Sequence, residues 1–181
     1  MSSPETTANP VPAGTRIGHV HLKVADLDRA LGFYCGVLGF ELMQRLGDQA
    51  AFISAGGYHH HIGLNTWESR GGHPPPPGTT GLYHTAILYP TRAALADALY
   101  RLLAAGIMLD GASDHGVNKS LYSRDPDGHE FEVMWLVPPE HWGDMAHRAI
   151  IDPLDKDMMD TVKTVDMIMC KTMYAHSYLD M

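Results

Sequence analysis

The sequence IGHVHLKVADLDRALGFYCGVLGF, residues 17–40, predicts how the fold begins. Residues 17–24 alternate between apolar and polar side chains, which is typical of a half-buried strand, and Asp26 then stands where a helix N-cap is expected. Apolar residues follow the cap at helical spacing, at Leu27, Ala30, Leu31, Tyr34 and Leu38. Three short apolar runs separated by Gly and Asp turn signals come next, at 40–46, 49–55 and 58–66. The predicted order of elements is therefore β, α, β, β, β.

The same order begins again after residues 71–80, a Gly/Pro linker with four consecutive prolines. The run LYHTAILY predicts a first strand, Thr91 stands at the next N-cap, and Gly106 suits the left-handed conformation that ends a helix. Further strands are predicted at 107–109, 119–124 and 129–136, with tight turns at Asp110-Gly111 and Asp127-Gly128. The sequence therefore contains an internal repeat.

Two βαβββ modules, residues 16–70 and 81–137, are the predicted core of the protein. Each module can curl only half a barrel, so we expect the pair to form one open barrel-like sheet of the α+β class around a central site. Residues 1–15 are polar and are predicted to be a flexible N-terminal tail. Residues 138–181 form a C-terminal extension, in which Met and Val residues at helical spacing predict an amphipathic helix from about 155 to 174.

The composition argues against several classes of function. No apolar run is long enough to cross a bilayer, and the first residues lack the basic and apolar segments of a secretory signal. The net charge of -8 and the lack of a Lys/Arg cluster argue against a nucleic-acid partner. Two cysteines, Cys35 and Cys170, are too few for a disulfide framework and fit a reducing cytoplasm. Twelve histidines are the unusual feature, because metal ligation and proton transfer are typical uses of this residue.

Two histidines occupy equivalent positions in the two modules. His19 lies seven residues before the cap at Asp26, and His84 lies seven residues before the cap at Thr91. Glu132, in the last predicted strand HEFEVMW, is aimed at one face of the sheet by the alternation of strand side chains. A buried carboxylate needs a partner, and a divalent metal suits two imidazoles and one carboxylate. We therefore expect these three residues to bind one metal ion, with an ordinary buried hydrogen-bonded cluster as the alternative.

These motifs resemble the vicinal oxygen chelate superfamily, which includes glyoxalase I, extradiol ring-cleaving dioxygenases and bleomycin-resistance proteins. The resemblance spans residues 17–136 and rests on HVHLKVADLDRALGFYCGVLGF, GLYHTAI and DPDGHEFEVMW. Within the superfamily it is closest to catechol 2,3-dioxygenase-type sequences, whose two histidine ligands and one glutamate ligand fall on His19, His84 and Glu132. This resemblance implies cleavage of a catechol or related vicinal diol with O2 and a non-haem metal, Fe(II) ahead of Mn(II) or Zn(II). We also expect a homo-oligomer, a dimer or larger.

The same resemblance implies which residues handle protons. In YHHHIGL it places the acid-base histidine on His60, with His59 and His61 outward or peripheral by alternation. Tyr122 stands four residues before the proline of the DPDG turn, the spacing of the substrate-contacting tyrosine, and His115 precedes it in a loop where extradiol enzymes keep another histidine. His60 would accept and later return a proton, while Tyr122, supported by His115, would hydrogen-bond a substrate oxygen. The alternative for the three adjacent histidines is a polar surface patch. The alternative for Tyr122 is an aromatic residue that lines the barrel, and for His115 it is a loop residue that forms a hydrogen bond.

Two other functions stay open from the sequence. A glyoxalase-type metal-dependent lyase or isomerase uses the same fold with a nonredox metal, but such enzymes have a further carboxylate ligand on the last strand of the first module. This chain has no acidic residue there before Glu68. A non-catalytic protein that sequesters an antibiotic is the third possibility, although such binders generally lack the metal triad. His21 lies on the same strand face as His19 by alternation, and it either lines the pocket or packs against its neighbours. The pocket is closed either by the chain itself or by a partner.

Overall fold

The first module forms a four-stranded sheet with one short helix. In the computed structural model, which describes residues 10–148 and 151–154, α1 (Leu27–Leu31) continues directly as a π-helix (Gly32–Val37). The strands are β1 (Val20–Lys23), β2 (Glu41–Leu46), β3 (Ala50–Ser54) and β4 (Ile62–Asn65). Their order in the sheet is β1-β4-β3-β2, with β1 parallel to β4 and the other pairs antiparallel.

The second module repeats this arrangement around a longer helix, α2 (Arg92–Ala104). The strands are β5 (His84–Tyr89), β6 (Gly111–Asp114), β7 (Asn118–Arg124) and β8 (Glu130–Leu136). Their order is β5-β8-β7-β6, with β5 parallel to β8. The matching order confirms the internal repeat and the fold of two tandem βαβββ modules. Among the described residues the modules form two separate sheets, with no strand pairing between them.

The helix boundaries follow the predicted capping residues. The Asp26 side chain accepts a hydrogen bond from the backbone N–H of Arg29 at 2.9 Å, and Thr91 Oγ1 accepts one from that of Ala94 at 3.1 Å. Each cap satisfies a backbone donor that the first turn of a helix leaves unpaired. Gly106 has a φ of 72° just after α2 ends, so the predicted left-handed residue is confirmed as well.

The strand predicted at 107–109 is wrong, and so is the tight turn predicted at Asp110-Gly111. The backbone N–H of Ile107 donates to the carbonyl of Leu102 at 2.9 Å, which keeps these residues attached to the end of α2. Strand pairing with β7 begins only at the glycine, which lies opposite Tyr122. Ile107 and Leu109 pack against the core while Met108 is exposed, so the apolar run reflects the packing of two residues rather than a strand.

A buried core on the helical side of both sheets joins the two modules. The hydroxyl of Tyr34 donates a hydrogen bond to Asp125 at 2.9 Å, and the ring centres of Phe33 and Phe131 lie 5.5 Å apart. Both helices bury apolar side chains in this core, namely Leu27, Ala30, Leu95, Leu99 and Leu102. Burial of one such leucine contributes about 1.5–3 kcal/mol. The opposite face of each sheet, which carries the histidines, lies outside this core.

The turn predicted at Asp127-Gly128 is present and also ties the modules together. Gly128 has a φ of 83°, and its backbone N–H donates to the carbonyl of Asp125 at 2.9 Å. Oδ1 of Asp127 accepts a hydrogen bond from the backbone N–H of Ala25 at 2.9 Å and lies 2.7 Å from Nη2 of Arg29. The turn before β8 therefore anchors the segment that leads into α1.

The chain continues after β8 with two short 3-10 helices, Pro139–His141 and Gly143–His147. The amphipathic helix predicted from about 155 to 174 lies outside the described residues, and so does the first part of the predicted tail, residues 1–9. In the described part of the chain, no helix is both long and apolar enough to span a membrane.

Candidate metal centre

The second sheet brings together two of the three predicted metal ligands. His84 begins β5, and Glu132 lies on the neighbouring strand β8, two residues beyond the residue paired with His84. Nε2 of His84 lies 3.1 Å from Oε2 of Glu132. Glu132 is only 6% exposed, and strand alternation places its side chain on the same face as that of His84. The pair therefore offers one imidazole nitrogen and one carboxylate oxygen at a single point.

The other carboxylate oxygen of Glu132 is held by polar side chains of β7. Oε1 accepts hydrogen bonds from Ser120 Oγ, from the Tyr122 hydroxyl at 3.4 Å and from Asn118 Nδ2 at 3.5 Å. The three donors share one face of β7 because they stand at alternate positions along the strand. Hydrogen bonds offset the cost of burying a carboxylate, and here they also orient its second oxygen toward His84.

Tyr122 and His115 form a hydrogen-bonded pair beside this carboxylate. The Tyr122 hydroxyl lies 2.9 Å from Nε2 of His115, and the ring centres of Tyr122 and His84 are 5.7 Å apart. Burial and the negative charge of Glu132 raise the pKa of Tyr122 above its ordinary value. The hydroxyl is therefore protonated near neutral pH and can donate a hydrogen bond. Four of the six predicted site residues thus lie together in the second module, three on its sheet and His115 in the loop between β6 and β7.

The other two predicted site residues, His19 and His60, lie together on the first module. Their ring centres are 4.4 Å apart, and Nδ1 of His60 lies 2.8 Å from Nδ1 of His59. Burial lowers the pKa of His60, and the charges of His19 and the other nearby histidines lower it further. His60 is therefore neutral at pH 7 and is able to accept a proton.

His59 and His61 are exposed, but strand alternation is not the reason. Residues 58–61 precede β4 and belong to no strand. Nδ1 of His61 lies 3.0 Å from the hydroxyl of Ser54, whereas His59 stays in contact with the ring of His60. His59 is therefore part of the histidine group on the first module, and His61 is outside it.

His21 packs against aromatic neighbours. Its ring centre lies 5.3 Å from that of Trp67 and 6.0 Å from that of Phe52. The ring of His21 lies against Gly63, and a Cβ atom at that position would come within 2.8 Å of the ring. Of the two roles that the sequence allows for His21, the contacts in this chain are those of packing.

The two groups of site residues do not meet within the described chain. Among residues 10–148 and 151–154, no three His, Cys, Asp or Glu side chains are placed to hold one metal ion. A cavity of about 380 Å³ lies between the modules, with His19 on one wall and Thr85 and Ala86 of β5 on another. The first strands of both modules thus border one space, while the triad of His19, His84 and Glu132 stays a prediction.

The His84–Glu132 pair fits a divalent metal ion. Nδ1 of His84 is buried and has no hydrogen-bond partner in the described part of the chain, while its Nε2 converges with the carboxylate. An imidazole nitrogen and a carboxylate oxygen are suitable ligands for Fe(II), Mn(II) and Zn(II). The pair therefore supplies two of the ligands that such an ion needs.

Sequence reasoning missed three polar residues around this pair, namely Asn118, Ser120 and Glu130. The strand NKSLYSR carries polar side chains at every second position up to Tyr122, and Glu130 stands two residues before Glu132. The alternation of strand side chains could have identified all three as neighbours of the predicted ligands.

The sequence of this chain matches known proteins. The family model described as Glyoxalase/Bleomycin resistance protein/Dioxygenase superfamily matches residues 16–133. Catechol-2,3-dioxygenase of Bacillus subtilis (strain 168) is 43% identical over 101 residues, which are 55% of this chain but only 35% of that enzyme. Biphenyl-2,3-diol 1,2-dioxygenase 3 of Rhodococcus globerulus is 32% identical over 134 residues, 73% of this chain and 70% of that enzyme.

The fold also matches solved structures. Lactoylglutathione lyase from Agrobacterium tumefaciens is similar with a TM-score of 0.52 and 25% identity, over 74% of this chain and 99% of that one. Proteins that resemble this chain therefore include both dioxygenases and a lyase. The sequence relatives are thus named as dioxygenases, whereas this solved structure of similar fold is named as a lyase.

Proposed function

Because this chain belongs to the glyoxalase/bleomycin resistance protein/dioxygenase superfamily, we propose that it is an extradiol-type ring-cleaving dioxygenase. Its substrate would be a catechol or a related vicinal diol, cleaved with O2 and a non-haem divalent metal ion. The observation that carries the proposal is a candidate ligand pair, His84 and Glu132, beside a protonated Tyr122 hydroxyl paired with His115. The names of the two dioxygenase relatives support it.

His84, Glu132 and His19 would hold the metal ion, which we propose to be Fe(II), with Mn(II) or Zn(II) as alternatives. When bound, a redox-active ion would supply electron transfer between the diol and O2. The hydrogen bonds from β7 orient the Glu132 carboxylate before any ligand arrives. Such support around a ligand residue increases affinity, because less side-chain freedom is lost on binding.

Tyr122 would orient the substrate. Its hydroxyl lies 3.4 Å from Oε1 of Glu132, so a substrate oxygen that binds beside Glu132 comes within reach of it. Its raised pKa keeps the proton on the hydroxyl, and His115 fixes the direction of that hydroxyl from 2.9 Å. A hydrogen bond from Tyr122 would stabilise negative charge that develops on the substrate oxygen.

His60 would accept a proton from a hydroxyl group of the diol and return it during ring opening. Its lowered pKa keeps the imidazole neutral and able to accept. Because His59 engages Nδ1 of His60 at 2.8 Å, Nε2 is the nitrogen left for proton transfer. This role requires that the face of the first module with His19 and His60 lies opposite the His84–Glu132 pair.

A second copy of the chain would bring His19 and His60 to that pair, so we propose a homo-oligomer. Within one chain the two groups belong to separate sheets, which a shared buried core holds in place. The first module also exposes a set of large apolar side chains, which often marks a contact surface. These are Leu42, Met43, Leu46, Tyr58 and Trp67.

Mixing two inactive variants tests this arrangement. His19→Ala and Glu132→Ala chains, each without a complete site, are refolded together in equal amounts. Half of the randomly formed dimers contain one chain of each variant. If a second copy supplies His19, each mixed dimer has one intact site out of two, so roughly a quarter of wild-type activity returns. A refolded mixture without activity would place all three ligands in one chain.

Anaerobic loading with Fe(II), Mn(II) or Zn(II) tests the reaction itself. Oxygen uptake and a yellow ring-fission product are expected with simple catechols and the Fe(II) or Mn(II) protein, and not with the Zn(II) protein. His60→Ala is expected to keep the metal and to lose activity by about 100-fold or more, as removal of a general base does. Lack of turnover with every redox metal would contradict the proposal, and full activity of His60→Ala would remove that residue from the mechanism.

A glyoxalase-type metal-dependent lyase or isomerase is the second candidate, favoured by the likeness to lactoylglutathione lyase. The His84–Glu132 pair suits a nonredox ion equally well. Against this candidate, β4, the last strand of the first module, reads IGLN and offers no further carboxylate. Isomerisation of a hemithioacetal without oxygen uptake would decide for it, and antibiotic binding without either reaction would decide for a non-catalytic binding protein.

A further inference from the structure

We propose that Glu130 is a positioning residue that orients His84 for metal binding through Nε2. The proposal rests on the metal centre put forward above and adds a residue to it. Glu130 would accept a hydrogen bond from Nδ1 of His84, which fixes both the ring orientation and the tautomer of the ligand. A carboxylate behind a metal-binding histidine increases the affinity of the site in this way.

Glu130 lies in a cross-strand row with His84 and Arg124. It is the direct register partner of His84 in the parallel pair β5–β8 and of Arg124 in the antiparallel pair β7–β8. Side chains of register partners stand next to each other on the same face of a sheet. Because Glu132 follows two residues later on that face, the His84 ring lies within reach of two carboxylates.

The two oxygens of Glu130 have different surroundings. Oε2 lies 2.8 Å from Nη2 of Arg124, which holds the carboxylate in one orientation. Oε1 lies 3.7 Å from Nδ1 of His84. The Glu130 side chain is 13% exposed, so water has little access to the gap between them. A movement of roughly 0.7 Å would bring these two atoms to hydrogen-bond distance.

The need for this hydrogen bond follows from the hydrogen-bond state of His84. Its Nε2 lies 3.1 Å from Glu132, while Nδ1 is buried without a hydrogen-bond partner in the described part of the chain. A neutral imidazole that binds a metal through Nε2 carries its proton on Nδ1. A buried N–H group without an acceptor is costly. Glu130 Oε1 is the oxygen placed to accept that proton.

Zinc affinity, measured by competition with a chromophoric chelator, tests the proposal without any need for turnover. Glu130→Ala is expected to weaken Zn(II) binding by about 10- to 100-fold, the usual effect of losing such a partner. Glu130→Gln keeps the size and an acceptor oxygen, so its loss is expected to be smaller and in the same direction. Asp110→Asn is the matched control, because Asp110 contacts Nε of the same Arg124 at 3.0 Å. Its affinity is expected to match the wild type.

The tautomer gives a second readout that a purely structural role would not move. In long-range 15N–1H spectra of the Zn(II)-loaded protein, we expect the proton of His84 to reside on Nδ1 and to exchange slowly. The same proton is expected to exchange faster in Glu130→Gln. If His84→Ala loses zinc while Glu130→Ala and Glu130→Gln retain wild-type affinity and exchange, Glu130 is not a positioning residue. If His84→Ala itself retains zinc affinity, the metal centre is wrong, and the two failures are thus distinguishable.

Discussion

Tyr34→Phe is expected to lower the free energy of unfolding by about 1.5–3 kcal/mol, the contribution of a hydrogen bond to a charged group. The Tyr34 hydroxyl donates to Oδ2 of Asp125 at 2.9 Å across the boundary between the modules. Phenylalanine keeps the ring and its packing, so the change removes little besides that bond. Tyr34 is 2% exposed, so water cannot replace the hydroxyl. Within the described part of the chain, Asp125 then retains only its bond with His129 on that oxygen.

Urea unfolding followed by circular dichroism measures this loss. With a slope of about 2 kcal/mol per molar urea, the unfolding midpoint is expected to fall by roughly 1 M. Tyr100→Phe, at an exposed position of α2, is the matched control and is expected to change stability by less than about 0.5 kcal/mol. A Tyr34→Phe midpoint within about 0.2 M of the wild type would refute the conclusion that this bond stabilises the junction of the modules.

Other predictions concern pH and metal affinity. The hydrogen bond with Asp125 raises the pKa of His129, so its stabilisation is complete below the ordinary value of 6.5 and is lost as the pH rises through the raised value. The free energy of unfolding should fall over that range in the wild type and less in His129→Gln; equal slopes would contradict this. Ser120→Ala removes a hydrogen bond from Glu132 and is expected to weaken Zn(II) binding by about 10-fold. Ser123→Ala, whose hydroxyl bonds the backbone on the other face of β7, should leave it unchanged, and equal affinities of the two variants would exclude a role for Ser120.

The order of elements could be predicted from the sequence because local signals mark it twice. Asp26 and Thr91 cap the helices at the same step of each module, and both caps depend only on residues close by in the chain. The prediction of a strand at 107–109 is wrong because no local signal of this kind marks it. Apolar residues tied to the end of a helix and apolar residues in a buried strand look alike in sequence, since both record burial and neither records hydrogen bonding.

Only part of the candidate site could be predicted from local patterns in the sequence. Glu132 and Tyr122 lie on neighbouring strands of one sheet, so alternation and spacing place them together. The separation of His19 from His84 depends instead on how the modules pack through their helices. That packing is set by contacts such as the hydrogen bond of Tyr34 to Asp125, between residues 91 positions apart, for which no local pattern exists.

Metal content is the most direct test of the triad. Wild-type protein, His19→Ala, His84→Ala and Glu132→Ala are dialysed to equilibrium against Zn(II), and the bound metal is measured by atomic emission. The triad predicts one ion per chain in the wild type and a collapse of metal content in each of the three variants, because the site loses one of its three ligands. His61→Ala, which alters an exposed histidine beside the group, is expected to retain the metal. Full metal content in both His84→Ala and Glu132→Ala would contradict the triad.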